Sequence, residues 1–162
     1  MPARVALLTI SSSRAAGSGR LDESGARLLE FARGLGLEIA GTELIGDERA
    51  SIEERLRHYS DVEGCELILT TGGTGVAPSD LTPEATLAVI EREVPGIAEA
   101  MRDASRAHTR HWMLSRAVAG IRGGCLIVNF PGSPASIEQS GESIRDALEH
   151  ALALISERPS SH

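Results

Sequence analysis

The stretch from Glu66 to Ala85, ELILTTGGTGVAPSDLTPEA, limits the possible folds more than any other part of the chain. Glu66 to Thr71 is a short apolar run that closes in two β-branched residues, the pattern of a buried strand. It leads directly into Gly72, Gly73 and Gly75, residues that reach backbone angles closed to side-chain-bearing ones, so their N–H groups can converge. Thr82, Pro83 and Glu84 then read as a helix start, with a hydroxyl cap, proline at the first helical position and a carboxylate in the first turn. A strand, a glycine loop and a helix N-terminus in that order form an anion site, most often for phosphate.

Asp80 changes what that anion site can hold. A carboxylate about 4 Å from a phosphate oxygen is repelled by roughly 4 kcal/mol at a surface-like effective dielectric. A divalent cation between the two reverses the sign. Magnesium is commonly held through one or two carboxylates plus substrate phosphates, so the loop points to a nucleotide-type phosphate with a metal. The alternative is that Asp80 and Thr82 only cap the helix and the glycines only turn the chain.

At 162 residues the chain is expected to be one domain over residues 1–157, large enough to bury a core without disulfides, with a frayed tail at 158–162. A net charge of -7 argues against nucleic acid as a partner, and an aromatic content of 2% argues against a base-stacking surface. All 16 basic residues are arginine, which excludes a Walker A lysine and Schiff-base chemistry. Cys65 and Cys125 lie in or beside apolar runs and read as buried, reduced thiols. No signal peptide precedes the first strand and no run approaches a membrane span, so the expected compartment is the cytoplasm.

Arg4 to Ile10 reads as a first strand covered on both faces, ending in Ser11-Ser12-Ser13-Arg14 and a small, glycine-containing segment to Arg20. In open α/β sheets ligands bind at strand carboxyl ends, which makes these serines and Arg14 candidate contacts; a polar flexible loop is the other reading. Asp22 to Leu35 has helical spacing, Leu37 to Ile45 alternates as a strand, and a helix is expected from about Ser51 to Tyr59. Asp47 therefore follows one strand and Asp80 the next. In one parallel sheet both would emerge on the same edge and could share a magnesium ion, although aspartate after glycine is also a common turn residue.

Helices are expected over Glu84 to Glu93 and Ile97 to Ala107, and Arg102, Arg106 and Arg110 would share a face if the second ran far enough. That face would be a wall for a polyanion, or a solvated or subunit-contacting surface. His108 and His111 lack the further ligands a zinc site needs. Ala117 to Ile121 and Cys125 to Phe130 read as strands joined at Gly123-Gly124, and Ser133-Pro134 as the cap and first turn of a last helix. Two strand–loop–helix starts suggest a ligand with two anchored halves, or two ligands meeting.

Gly46-Asp47, Thr70-Thr71-Gly72-Gly73-Thr74-Gly75, Asp80, Thr82-Pro83-Glu84-Ala85, Pro95-Gly96, Met101-Arg102, Leu114-Ser115-Arg116 and Asn129-Phe130-Pro131-Gly132-Ser133-Pro134 occur in this order over nearly the whole chain. On these residues the sequence resembles the molybdopterin adenylyltransferases, the MogA/MoaB-type bacterial proteins, and the similar G domain of gephyrin. The resemblance implies a three-layer α/β/α subunit with a mostly parallel sheet, commonly a homotrimer. It implies transfer of AMP from ATP to the phosphate of molybdopterin with magnesium, releasing pyrophosphate, with a non-catalytic molybdopterin-binding or delivery module as the alternative. Asp47 and Asp80 match the catalytic, metal-associated pair. Thr74 and Ser105 match positions for the pterin phosphate, beside Gly72, Gly73 and Gly75, and Ser115 a further pterin position. Asn129, Pro131, Gly132 and Ser133 match the ATP side, with Ser12 and Ser13. Ser13 stands where bacterial relatives often carry aspartate, and Phe130 where leucine is usual.

Overall fold

The computed structural model describes residues 2–15, 17 and 22–157, without the side chain of Arg14; the expected tail at 158–162 lies outside the described residues, as do Ala16 and 18–20 of the segment after the first strand. The apolar run Arg4–Ile10 is strand β1, with six of its seven residues buried. A four-residue helical turn α1, Ser12–Ala15, replaces the expected loop. Then come α2, Glu23–Gly34, β2, Glu38–Ile45, and α3, Arg49–Arg57, which runs into a π-helical turn at His58–Val62. The glycine loop follows β3, Leu67–Thr71, every residue of which is buried.

Four strands lie parallel in the order β2, β1, β3 and β6, the last being Cys125–Phe130. Strands β5, Ala119–Arg122, and β4, Arg92–Glu93, extend the sheet antiparallel beyond β6. The β5–β6 hairpin turns at Gly123, where φ is +54°. Alternation within each strand sorts the core into two layers. Val5, Leu7, Leu67, Leu69, Leu126 and Val128 pack against α2, α5 (Pro95–Ser105) and α6 (Pro134–Ser156). Ala6, Leu8, Ile68 and Ile127 face the other way, toward α3 and α4 (Thr82–Val89). The result is the expected three-layer α/β/α arrangement.

Several boundaries differ from the sequence reading. The helix expected to reach Glu93 stops at Val89, because Ile90 is extended and Arg92–Glu93 pairs with β5 as an edge strand. Thr82 is the first residue of α4, not its cap; Leu81 holds the cap position, and the Thr82 hydroxyl turns back to donate to the Gly72 carbonyl at 2.9 Å. Helix α5 starts at Pro95 and ends at Ser105, so Arg110 is off the helix and the row of three arginines does not form. Ser133 occupies the cap position of α6 without a side-chain capping bond. Among the described residues no helix is long and apolar enough to cross a membrane.

Cys65 and Cys125 are both free and buried, in the layer that faces α3 and α4. Burial pushes the Cys65 thiol up to about 11 and raises Cys125 as well, so neither carries a reactive thiolate near neutral pH. Ellman's reagent at pH 8 is therefore expected to titrate no thiol in the native protein and both after denaturation. A thiol that reacts in native buffer at the rate of free cysteine would contradict this packing.

Candidate active site at the carboxyl rim of the sheet

The chain runs from β1 to β2 on one side of β1 and then to β3 on the other, so the crevice past the carboxyl ends of β1 and β3 is the topological switch point of the sheet. Gly72 sits there at φ +98°, with Gly73 following at +67°. A Cβ at position 72 would stand 2.3 Å from the carbonyl oxygen of Ile10, and one at 73 would stand 2.3 Å from the Thr82 hydroxyl. Both positions therefore need glycine for space as well as for backbone angle.

Hydrogen bonds fix the loop from several sides. Gly72 N–H donates to Phe130 O at 3.3 Å, Thr71 Oγ1 to Pro131 O at 2.7 Å, and Ser24 Oγ at the start of α2 to Gly132 O at 2.6 Å. Gly132 packs against Gly72, so that a Cβ at position 132 would stand 3.4 Å from the Gly72 Cα. The N–H groups of Gly73, Thr74 and Gly75 have no internal acceptor among the described residues, and the Thr74 hydroxyl makes no hydrogen bond there. Three consecutive donors held open beside a helix start are an anion receptor.

The two aspartates emerge on this same rim, Asp47 past β2 and Asp80 past β3. Each has one carboxylate oxygen committed and one free. Asp47 Oδ1 accepts from Ser12 Oγ, while the Asp47 N–H donates to the same hydroxyl at 3.0 Å. Asp80 Oδ2 accepts from the Ala77 N–H at 3.0 Å. The remaining oxygens have no partner among the described residues. Each half-committed carboxylate has an oxygen of the kind magnesium takes, alongside phosphate and water ligands. No group of three or more His, Cys, Asp or Glu suited to a metal occurs among the described residues, so a protein-only metal cage is not formed there.

Ser105 and Ser115 line a cavity of about 330 Å³ between α5, α6 and a 3-10 turn at Trp112–Leu114. Pro131 and Ser133 line it too, so residues expected on the ATP side share a wall with residues expected on the pterin side. The rest of the expected ATP set is elsewhere. Ser12 is bound to Asp47, and Ser13 is exposed next to it. Asn129 is fully buried: its amide donates to Thr70 Oγ1 at 3.1 Å and Thr86 Oγ1 at 3.0 Å, and its carbonyl accepts from the Val118 N–H at 3.1 Å. With donors and acceptor all used, Asn129 ties β6 to β3, α4 and the chain entering β5, and it offers no side-chain contact to a ligand.

Arg116, which the sequence shows only as part of Leu114-Ser115-Arg116 and to which it gives no role, sits at the centre of a hydrogen-bond cluster. Its Nε donates to Gly75 O at 2.7 Å, Nη2 to Asp80 O at 2.6 Å, and Nη1 to both Glu84 oxygens at 2.7 and 3.1 Å, while its own N–H donates to Thr74 O at 2.7 Å. One guanidinium thus closes the turn that carries Asp80. The Glu84 pair is partly exposed and contributes less than about 1 kcal/mol. The charge-assisted bonds to two carbonyls carry more of the effect. Arg102 plays a similar part at the cavity, donating to Ala117 O at 3.0 Å and Ser115 O at 3.4 Å. Nothing local marks either arginine, because their partners lie far away in sequence.

A mostly parallel sheet with a glycine loop and two carboxylates at its carboxyl rim has the layout of α/β proteins whose ligands gather at strand carboxyl ends. Residues 6–150 match the family described as a probable molybdopterin binding domain, and the chain belongs to that family. It is 49% identical over 111 residues to a molybdopterin adenylyltransferase of Haemophilus influenzae, covering 68% of this chain and 56% of that one. Its counterpart in Escherichia coli K12 is 50% identical over 106 residues, covering 65% and 54%. The chain thus spans about half the length of the curated relatives it matches. The solved molybdopterin biosynthesis enzyme MoaB of Thermus thermophilus is 45% identical, with a TM-score of 0.89 over 98% of this chain and 99% of that one.

If Arg116 closes the Asp80 turn, Arg116→Ala should speed native-state amide exchange at Ala77, whose N–H is held by Asp80, by about tenfold, as expected for loss of roughly 1–2 kcal/mol. Arg116→Lys should restore little of the protection, since an ammonium cannot span the two carbonyls and Glu84 as the planar fork does. Unchanged exchange at Ala77 in Arg116→Ala would remove this role.

Proposed function

We propose that the chain transfers AMP from ATP to the phosphate of molybdopterin, a step of molybdenum cofactor biosynthesis that releases pyrophosphate. The observation that carries the reading is the pair of half-committed aspartates on one rim of the sheet that also carries a loop with three N–H groups unpaired among the described residues. The names of its relatives in H. influenzae and E. coli support it.

A phosphate oxygen of molybdopterin attacks the α-phosphorus of ATP, a new P–O bond forms, and the bond to the oxygen bridging the β-phosphorus breaks with its electron pair leaving on pyrophosphate. The attacking phosphate is already largely ionised at neutral pH, so no side chain has to remove a proton. The work left to the chain is positioning and charge neutralisation. The N–H groups of Gly73, Thr74 and Gly75 and the Thr74 hydroxyl receive a phosphate. Ser105 and Ser115 face the pterin in the cavity. The exposed Ser13 and the Gly132 N–H face the nucleotide, whereas Ser12 acts by orienting Asp47 and Asn129 by fixing the strand ends. Asp47 and Asp80 would hold magnesium, which when bound neutralises triphosphate charge.

The same reading takes the protein to be a cytoplasmic homotrimer. Leu87, Met113 and Leu114 carry exposed apolar side chains that another subunit would cover.

The test is pyrophosphate release from ATP with molybdopterin as acceptor. Asp47→Ala and Asp80→Ala should each lower kcat by roughly a hundredfold or more while molybdopterin binding persists. Native turnover in Asp80→Ala would sink the assignment. Molybdopterin binding without any affinity for ATP and magnesium would make the chain a binding or delivery module instead.

A further inference from the structure

Serines inside helices usually satisfy their hydroxyl on the carbonyl one turn back. Ser60, Ser105 and Ser156 do so here, donating to Leu56 O at 2.8 Å, Met101 O at 3.1 Å and Leu152 O at 2.9 Å. Ser140, in α6, does not. It is 1% exposed, it lines the 330 Å³ cavity, and among the described residues its Oγ is the buried side-chain polar atom without a hydrogen-bond partner. An unpaired buried hydroxyl destabilises a fold, so its presence here calls for a partner the bare chain does not supply.

The cavity indicates what that partner is. Its walls include Met101, Trp112, Ala117 and Pro131 beside His108 and His111, with no carboxylate, and its one guanidinium, Arg102, donates through Nη1 to two carbonyls. Such a lining suits a flat, uncharged heterocycle edged with hydrogen-bonding atoms better than a polyphosphate. Beside Ser140, the Gln139 amide also lines the cavity without a side-chain partner among the described residues. Because nothing holds the Ser140 hydroxyl, turning it about χ1 to meet a ligand breaks no existing bond.

We infer that Ser140 is a specificity-determining contact for the heterocycle of the acceptor, its hydroxyl pairing with a ring donor or acceptor once the cavity fills; this rests on molybdopterin being the ligand. The serine then serves the bound state at the expense of the empty one, which gives its removal two effects of opposite sign. Ser140→Ala should raise the melting temperature of the ligand-free protein by about 2–4 °C. It should also weaken molybdopterin binding and raise its KM roughly three- to tenfold, leaving kcat and the KM for ATP unchanged. Ser140→Cys, which keeps the volume with a weaker donor, should fall between.

Trp112, the single tryptophan of the chain, lies in the cavity wall and reports occupancy by its fluorescence. Molybdopterin is titrated against this signal without ATP, and AMP transfer is followed separately. Quenching equal in wild type and Ser140→Ala, or a melting temperature lowered by the substitution, overturns the role of Ser140 while the proposed reaction stands. Wild-type quenching without AMP transfer, with the weakened affinity in Ser140→Ala, keeps the role and removes the reaction. No quenching in the wild type overturns the role of Ser140, and the absence of AMP transfer as well overturns both.

Discussion

The carboxyl rim depends on one close approach of backbone to backbone. At Gly72 the chain leaving β3 passes the Ile10 carbonyl so tightly that a first side-chain carbon would stand 2.3 Å from the oxygen. That approach brings together the ends of β1, β3 and β6, with Gly132 resting on Gly72 and Phe130 O receiving its N–H. A larger residue would push the loop outward and turn the free donors of residues 73–75 away from any shared anion. The steric cost of a misplaced Cβ falls on the same short loop that carries these donors.

Around this point the structure uses polar side chains mainly as struts. Asn129 spends its whole hydrogen-bonding capacity on Thr70, Thr86 and the Val118 N–H. Ser12 fixes Asp47, Arg116 fixes the Asp80 turn, and Arg102 fixes the segment that carries Ser115. Among the described residues, the groups left unsatisfied at the rim and the cavity include one oxygen on each aspartate, the loop N–H groups, the Thr74 hydroxyl, the Gln139 amide and Ser140. Of these the Ser140 hydroxyl is the buried side-chain atom without a partner, while the aspartates and Gly73 and Gly75 are only partly buried. Preorganisation of this kind places the ordering cost in folding, so that binding orders little more.

Much of this is legible in the residues. The run of β1, the strand–glycine–helix signal of residues 67–84, the buried thiols and the common edge for Asp47 and Asp80 all follow from local pattern plus the rule that ligands gather at strand carboxyl ends. The departures are of one kind. Local pattern carries helix α4 on to Glu93 because Ile90 to Glu93 has no breaker, yet pairing with β5 captures Arg92–Glu93. Local chemistry allows Thr82 to cap the helix, but the Gly72 carbonyl across the loop takes its hydroxyl. Asn129 has the chemistry of a nucleotide contact, and the sheet has already used its amide.

By itself the sequence determined most of the strands and helices, the glycines that the loop requires and the two carboxylates that follow successive strands, because each of these rests on periodicity, backbone freedom or side-chain identity within a short window; the layered arrangement was implied only by the family resemblance. The tertiary structure decided which polar groups are struts and which are left open. Arg116 meets Gly75, Asp80 and Glu84, and Ser140 meets no partner, only once strands and helices distant in sequence are packed together. Hydrogen bonding acts over about 3 Å of space, and no short window of sequence contains that distance.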